Sequence, residues 1–318
     1  EDALSTEGAG VHLASGTRLP GETARAGGGF GAVAAGLLRA CRPRQWLKNG
    51  FVLAAPAAAV VLTTADGLRG SLIAVAAFCC AASGTYLFND AADVAADRLH
   101  PRKRLRPIAA GIVPVRLARI AGTVLLVLGV LIALAAGWRL ALVVACYLAL
   151  TFAYTHWLKH QPVVDLVAVA ACQVVRAFAG AVAVGVPVTG WFLVVVSLGS
   201  LLLVAGKRDA ELRAQNGGEV TRATLAVYTP GYLAHVRAMS AGAVIVTYGL
   251  WALQEHTGTA QAFLAASLVP FVLMVLRHAL LVERGQGEEP EELVLRDRPL
   301  QVFTAMTLLL LVLGIYLP

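Results

Sequence analysis

The chain has 318 residues, of which 58% are hydrophobic and only 14% are charged. Its mean hydropathy of +0.73 excludes an ordinary soluble domain and favours a protein with many membrane spans. The net charge of +7 does not indicate a nucleic-acid partner, because the Lys and Arg residues are confined to short connections between apolar runs.

Apolar runs divide the chain into a tail and one membrane domain. Residues 1–38 are rich in Gly, Ala, Ser and Thr without a periodic pattern, which predicts a flexible cytoplasmic tail. Residues 39–318 are predicted to form a single transmembrane catalytic domain, an all-α bundle of nine membrane helices. The nine predicted spans are 47–63, 70–89, 115–136, 138–155, 163–184, 190–206, 232–252, 262–281 and 300–317.

The positive charges predict the orientation of these spans. If the N-terminus is cytoplasmic, all but three of the 26 Lys and Arg residues fall in inner segments. The exceptions are Arg69 and Arg139 in outer loops and Arg176 within a span. This bias predicts a multi-pass protein of the cell (inner) membrane, with a cytoplasmic N-terminus and its chemistry on the cytoplasmic side.

Four oxygen-bearing side chains follow the second predicted span. Asn89, Asp93 and Asp97 are spaced i, i+4 and i+8, so a helix would place them on one face, and Asp90 adds a fourth donor. Hard oxygen ligands suit Mg²⁺. We therefore predict that all four bind the metal and that the three aspartates are catalytic. The alternative is a solvated helix end, but a bound cation offsets the repulsion among these acids better than solvent does.

Basic and polar side chains near the inner ends of the spans are candidate binders of substrate phosphates. Two alternatives stay open: Lys48 and Lys159 only orient their helices, and Lys207 forms a solvated i, i+4 pair with Glu211. The predicted substrate-binding residues are Lys48, Asn49, Tyr86, Arg98, Lys103, Arg106, Tyr154, Lys159, Asp165, Lys207 and Arg208.

One arginine falls inside a predicted span. Arg176 comes eleven residues after Asp165, which places it at nearly the same azimuth and about 16 Å deeper on a helix. Charged residues within membrane spans are costly and mark functional sites. We predict that Arg176 is catalytic and meets an anion such as the phosphate of a lipid substrate. The alternative is an internal structural ion pair.

The sequence resembles the UbiA superfamily of intramembrane prenyltransferases, through the pattern NDxxDxxxD at residues 89–97 and over nearly all of residues 40–318. Further stretches are similar to the branch that transfers a phosphoribosyl group to a polyprenyl phosphate. They are RPRQWLKN (42–49), SGTYLFNDAADVAADRLHPRKRLRPIAAG (83–111), YTHWLKHQPVVD (154–165), GKRDAEL (206–212) and EEPEELVLRDRPL (288–300), and the part HPRKRLRPIAAG is more specific than the acidic pattern. One departure is Val169, which stands where the superfamily's second acidic motif, DxxxD, would have its second carboxylate after Asp165.

The resemblance implies a nine-helix bundle with a polar cytoplasmic cavity. It also implies Mg²⁺-dependent transfer of 5-phosphoribose from phosphoribosyl diphosphate to decaprenyl phosphate, with release of diphosphate, in the synthesis of arabinogalactan and lipoarabinomannan precursors. An alternative is transfer of a polyprenyl group from its diphosphate to an aromatic acceptor. A transporter is disfavoured, because the two halves lack matching Gly- or Pro-interrupted spans. The sequence leaves open whether the chain forms homo-oligomers.

Overall fold

The computed structural model describes residues 29–100, 103–214, 223–254, 257–286 and 290–317. All the regular secondary structure within these ranges is helical. Residues 1–28 of the predicted tail lie outside the described residues. The end of the predicted tail overlaps helix α1 (Phe30–Ala40), which buries Gly36 and Ala40.

Eight helices are long and apolar enough to cross a membrane. They confirm eight of the nine predicted spans and extend four of them by about a turn or more. These helices are α3 (Ala65–Ala92), α5 (Val115–Ala136), α6 (Trp138–His156), α7 (Val164–Val184), α8 (Gly190–Ala214), α9 (Pro230–Gln254), α10 (Gly258–Glu283) and α12 (Arg298–Tyr316). Three short helices complete the series, namely α2 (Ala54–Ala58), α4 (Val94–Leu99) and α11 (Pro290–Arg296).

The first predicted span, 47–63, is not one α-helix, so a bundle of nine continuous helices is not confirmed. Its residues lie in a 3₁₀ helix over Pro43–Leu53, the short α2 and a 3₁₀ turn over Val61–Thr63. Left-handed backbone at Arg42 (φ 55°) and Val60 (φ 61°) interrupts the helical path on either side. Hydropathy predicts an apolar segment here but carries no information about these two backbone angles.

This irregular segment runs antiparallel to α3. Three contacts follow one another along α3: Arg42 to Asp90 at 2.6 Å, Trp46 to Ser83 at 3.0 Å and Asn49 to Cys79 at 3.2 Å. At the other end of α3, the hydroxyl of Thr64 caps the first turn by accepting from the Gly67 amide at 3.1 Å. Residues 42–64 therefore extend from one end of α3 to the other.

Small residues allow close backbone approach around α7. A Cβ atom on Gly180 would lie 1.8 Å from the carbonyl oxygen of Val52, and one on Gly70 would lie 2.8 Å from that of Ala183. Contacts of this kind are typical of membrane bundles, where lipid provides no hydrophobic drive for helices to associate. The pairing of Gly70 with Ala183 sets α3 antiparallel to α7. The end of α3 near Asp90 and the beginning of α7 near Asp165 therefore share one end of the bundle, called the site end below.

Candidate active site

Two buried aspartates and two partly exposed arginines meet where α3 ends. Arg106 donates from one nitrogen, Nη1, to Asp90 Oδ1 at 3.0 Å and to Asp97 Oδ2 at 2.8 Å. Arg42 donates from Nη2 to Asp90 Oδ1 at 2.6 Å. The Asp90 side chain is 2% exposed, whereas those of Arg42 and Arg106 are 26% and 30% exposed. These four residues, named the carboxylate site, place negative charge beneath a positively charged rim.

The chain geometry at Asp93 changes which acids converge. Helix α3 ends at Ala92 and α4 begins at Val94, with Asp93 between them. The Asp93 and Asp97 amides still bond to the carbonyls four residues earlier, so the path stays nearly helical. The residues that converge are Asp90 and Asp97, seven residues and about two turns apart. Asn89 is half-buried and Asp93 is exposed, so the three side chains predicted to share one face differ in exposure.

A folded loop delivers Arg106 to the acids. Arg98, a predicted phosphate ligand, donates its Nε to the Ala109 carbonyl at 3.0 Å and ties α4 to this loop. The loop buries Ile108 and Val113 in a core cluster that also contains Leu87. The predicted ligand Lys103 is half-buried in a 3₁₀ turn three residues before Arg106. The loop that carries the basic run is therefore held both by the hydrogen bond from Arg98 and by packing of its apolar side chains in the core cluster.

The carboxylate site fits a divalent cation in its chemistry. The oxygens of Asp90 and Asp97 already converge on one positively charged nitrogen. Mg²⁺ usually takes one or two protein carboxylates and completes its shell with waters and substrate phosphates. Within the described parts of the chain, no three His, Cys, Asp or Glu side chains are grouped as a ready-made metal site. The donor set thus fits an ion that obtains the rest of its ligands from substrate and water.

A second Asp–Arg pair lies at the site end, but it is sealed. Arg208 donates from Nε to Asp165 at 3.1 Å, from Nη1 to Glu211 at 2.8 Å and from Nη2 to the Tyr154 hydroxyl at 2.9 Å. The side chains of Arg208 and Asp165 are 3% and 1% exposed. Direct phosphate binding by Arg208, Asp165 or Tyr154 is therefore not supported by the geometry, because these groups bond to one another.

Tyr228 completes this network, and sequence reasoning missed it. Its hydroxyl donates to Asp165 and accepts from the Val163 amide at 2.6 Å. Tyr228 lies in the connection between α8 and α9, 63 residues from Asp165. No motif or local spacing in the sequence links the two positions. We call Asp165, Arg208, Glu211, Tyr154 and Tyr228 the Arg208 network.

Arg176 is buried inside the bundle, as its position in the sequence suggested, but its partners are neutral. The four groups that accept from its guanidinium are the Asn49 side chain at 3.0 Å, the Gln173 side chain at 3.0 Å, the Cys172 carbonyl at 3.3 Å and the Tyr147 hydroxyl at 2.7 Å. The alternative of an internal ion pair is therefore not supported among the described residues. The predicted substrate ligand Asn49 belongs to this group and is buried with it.

The depth of Arg176 also separates it from the carboxylate site. Asn49 contacts both Arg176 and Cys79, and Cys79 precedes Asp90 by eleven residues on α3. Eleven residues of helix span about 16 Å. Arg176 therefore lies deeper in the bundle than Asp90, and its catalytic contact with a substrate phosphate stays a prediction.

The remaining predicted ligands lie on elements around the site end or just below it. Tyr86 contributes to the carboxylate site, because the Arg42 guanidinium lies 4.8 Å from the centre of its ring. Lys159 is half-buried in the 3₁₀ turn Leu158–His160 between α6 and α7. Lys207 is half-buried beside Arg208 on α8, and Lys48 is half-buried beside Asn49.

A further ionic cluster holds α8, α9 and α10 together. Buried Asp209 accepts from Arg213 at 3.1 Å and from Arg237 at 2.8 Å, and Glu283 pairs with both arginines. Arg237 was not among the predicted site residues. The cluster pairs two positive with two negative side chains and joins three helices, so we interpret it as structural.

The fold and the acid-rich site end define an intramembrane enzyme class, and the comparisons agree. The profile of the UbiA prenyltransferase family matches residues 49–296, and the chain belongs to this family. A UbiA homolog from Archaeoglobus fulgidus, solved bound to GPP and Mg²⁺, shares the fold with a TM-score of 0.66 and 17% identity, over 88% of this chain and 98% of that one.

Two sequence relatives are more specific. The chain is 47% identical over 277 residues to a decaprenyl-phosphate phosphoribosyltransferase from Mycobacterium tuberculosis strain H37Rv, covering 84% of this chain and 90% of the relative. It is 41% identical over 292 residues to the Corynebacterium glutamicum protein of the same name, covering 90% and 88%. The resemblance to the phosphoribosyl-transferring branch is thus confirmed.

Proposed function

We propose that this chain transfers 5-phosphoribose from phosphoribosyl diphosphate to decaprenyl phosphate and releases diphosphate. The observation that carries the proposal is the carboxylate site, where Asp90 and Asp97 converge beneath the partly exposed Arg42 and Arg106. Such a site can hold a metal–diphosphate group and still offer positive charge to further phosphates. The names of the curated relatives support the same reaction, which we place in the synthesis of cell-wall arabinan precursors.

The chemistry makes modest demands on the protein. The bond between ribose C1 and the diphosphate oxygen breaks, and the diphosphate leaves with the electron pair. A new bond forms between C1 and an oxygen of the lipid phosphate. A phosphate monoester has a second pKa of about 6, so the acceptor is already an anion at neutral pH and needs no general base. The main task of the site is to hold two polyanions against each other.

We assign Mg²⁺ to the carboxylate site, with Asp90 and Asp97 as ligands and Asn89 and Asp93 as further oxygen donors. When bound, the ion would stabilise the negative charge that develops on the departing diphosphate. Arg106 donates to the same two carboxylates that would hold the metal, so a bound ion would compete with it for these oxygens and would weaken its pairing. The arginine then becomes available to a phosphate.

The positive charge for the remaining phosphates is assigned to side chains that are not sealed. Arg42 and Arg106 are the first pair, and Arg98, Lys103, Lys159 and Lys207 complete the set on surrounding elements. Arg208 and Arg176 receive a different role. Both are positioning residues. Arg208 ties the facing ends of α6 and α7 to α8, and Arg176 ties the 3₁₀ segment Pro43–Leu53 to α6 and α7.

The orientation in the membrane is also a proposal. Residues 43–63 run the length of α3 and would supply a ninth crossing in addition to the eight long helices. Nine crossings agree with a cytoplasmic N-terminus and a site end facing the cytoplasm, which is the arrangement that the distribution of Lys and Arg favours. The membrane is then the cell membrane, where the lipid acceptor resides.

The test is donor use by the purified chain in lipid nanodiscs. Phosphoribosyl diphosphate labelled in the ribose, with Mg²⁺ and decaprenyl phosphate, should transfer the label to an extractable lipid. Omission of Mg²⁺ or of the lipid should abolish labelling. Transfer of a prenyl group from a polyprenyl diphosphate to an aromatic acceptor, without labelling of decaprenyl phosphate, would overturn the proposal.

A further inference from the structure

The loop between α6 and α7 contains an unusual backbone conformation at Val163. This residue has φ +69° and ψ −48°, and the Val164 amide bonds to the Pro162 carbonyl at 2.8 Å. Together these define a γ-turn of the rare type with positive φ at its centre. A β-branched residue seldom adopts positive φ, and such conformations persist only where the surroundings enforce them.

The Val163 side chain is 49% exposed, so its packing does not hold the residue at positive φ. The constraint comes from a tyrosine distant in sequence. The hydroxyl of Tyr228 accepts from the Val163 amide at 2.6 Å and donates to Asp165 in the first turn of α7. Asp165 is fixed in turn by Arg208 at 3.1 Å. One phenolic oxygen therefore holds both the strained residue and the acid two residues after it.

The Tyr228 ring is packed against its neighbours, and its hydroxyl is protonated. Its ring is buried and stacks on Tyr232 with 5.6 Å between centroids and 4° between planes. Burial, together with the hydrogen bond to Asp165, raises the pKa of the Tyr228 phenol well above its ordinary value. The hydroxyl therefore remains a donor to the carboxylate over the whole physiological pH range.

The turn determines where Lys159 lies. Backbone hydrogen bonds run without a gap from the 3₁₀ turn to α7: Gln161 bonds to Leu158 at 3.1 Å, Val164 to Pro162 at 2.8 Å and Asp165 to Gln161 at 3.1 Å. Reversing the sign of φ at Val163 would redirect every residue before it relative to α7. Lys159, the lysine assigned to substrate phosphate, lies four residues before the turn.

We infer that Tyr228 is a positioning residue that holds the γ-turn at Val163 and thereby presents Lys159 to the phosphates of the donor substrate. The inference rests on the proposed phosphoribosyl transfer. It assigns Tyr228 no contact with substrate. Loss of the Tyr228 hydroxyl should therefore weaken binding of the donor substrate and leave the reaction at the carboxylate site intact.

The experiment compares Tyr228→Phe with Tyr232→Phe in the full chain in nanodiscs. Tyr228→Phe keeps the stacked ring and removes the hydroxyl, so we expect KM for phosphoribosyl diphosphate to rise about tenfold, as for loss of one well-placed hydrogen bond, with kcat within about twofold. Tyr232→Phe keeps the same stack and should leave KM unchanged. Equal KM in both variants, or a loss confined to kcat, would overturn the inference.

A second arm separates positioning from general stability. Glycine accepts positive φ without steric cost, so Val163→Gly should make the turn independent of its clamp. In the Val163→Gly background, Tyr228→Phe should raise KM less than about threefold, whereas a tenfold rise there would overturn the role of the strained turn. If Tyr228→Phe alone does not fold, recovery of folded protein by added Val163→Gly supports the inference, and failure of both variants contradicts it.

Hydrogen exchange makes the result independent of catalysis. The amides of residues 161–166 should exchange faster in Tyr228→Phe than in Tyr232→Phe, while exchange in α3 stays unchanged. Unchanged exchange in residues 161–166 would overturn the clamp. If this pattern appears but the wild-type chain does not label lipid, the clamp stands and the proposed function fails.

Discussion

Two Asp–Arg pairs lie at the same end of the bundle, and they differ in how completely they are sealed. In the carboxylate site the acids are buried but Arg42 and Arg106 are about one-quarter to one-third exposed. In the Arg208 network both the acid and the arginine are almost fully buried. All three donor groups of the Arg208 guanidinium are bonded to side chains of the protein.

The difference separates a site that can exchange partners from one that cannot. A partly exposed arginine can leave a carboxylate for a phosphate at low cost, because water and substrate both solvate it. A sealed arginine cannot leave without stranding a buried charge. Residue type alone therefore does not distinguish a substrate ligand from a structural ion pair, whereas exposure of the arginine does.

The largest effect should come from neutralising the acids of the carboxylate site. Asp90→Asn and Asp97→Asn should each reduce phosphoribosyl transfer by at least about 10³-fold, equivalent to about 4 kcal/mol of transition-state stabilisation. The amide keeps the shape of the carboxyl group, so the protein should remain folded. The assay is labelling of lipid, with thermal unfolding measured in parallel. Asp66→Asn, at the exposed opposite end of α3, is the control and should keep full activity.

Removal of Arg208 and removal of Arg106 should lower the free energy of unfolding by very different amounts. Arg208→Ala strands Asp165 and Glu211, so we expect a loss of about 3–5 kcal/mol in stability, as measured for broken buried pairs. Arg106→Ala should cost less, about 1–2 kcal/mol, because Arg42 still pairs with Asp90 and the partly exposed Arg106 leaves a gap that water can enter. Unfolding in detergent measures both. Equal destabilisation by the two variants would contradict the distinction between an open and a sealed pair.

Arg106→Gln should change the affinity of the carboxylate site for a divalent metal ion. If the arginine and the cation require the same two carboxylates, removal of the arginine should tighten divalent-ion binding about tenfold, or about 1.4 kcal/mol, in the absence of donor. Mn²⁺ binding followed by electron paramagnetic resonance gives this affinity without any activity measurement. Arg104→Gln, an exposed neighbour, is the matched control. Weaker binding by Arg106→Gln would show that the arginine supports the metal.

The smallest effect concerns the loop that carries Arg106. Gly111 has φ +78° and open space around its Cβ position, so Gly111→Ala adds only backbone strain, about 1 kcal/mol. We expect KM for phosphoribosyl diphosphate to rise about two- to fivefold as the loop shifts, which corresponds to up to about 1 kcal/mol. Gly199→Ala, at a helical position that also has open space, should leave KM unchanged. An unchanged KM in Gly111→Ala would show that the position of Arg106 does not depend on the backbone conformation at Gly111.

The sequence predicts the eight long helices well, because each is a long and mainly apolar run, and lipid requires the backbone within it to satisfy its own hydrogen bonds. It does not predict the irregular course of residues 43–63. Apolar composition is the same for an α-helix and for a 3₁₀ segment, and it carries no information about the left-handed backbone at Arg42 and Val60.

The candidate site is predicted in composition but not in pairing. The acids at residues 89–97 and the basic loop after them are visible as motifs, because their members are local in sequence. The contact of Arg42 with Asp90 joins residues 48 apart, and that of Arg208 with Asp165 joins residues 43 apart. Such partners are determined by helix packing. Arg176 illustrates the limit: its burial follows from its position in a span, but its neutral partners do not.

The irregular segment 43–63 has a consequence for assembly in the membrane. A long α-helix satisfies its own peptide groups and can enter lipid alone, whereas interrupted backbone is tolerated at membrane depth only when protein surrounds it. The surroundings here come from later parts of the chain, since Val52 packs against Gly180 of α7 and Tyr316 of α12 donates to the Ala57 carbonyl at 2.9 Å. The segment 43–63 should thus reach its final place only after α7 and α12, which follow it in the chain, have been synthesised. In nascent chains that stop before α7, it should stay open to proteolysis, and extension through α7 should protect it.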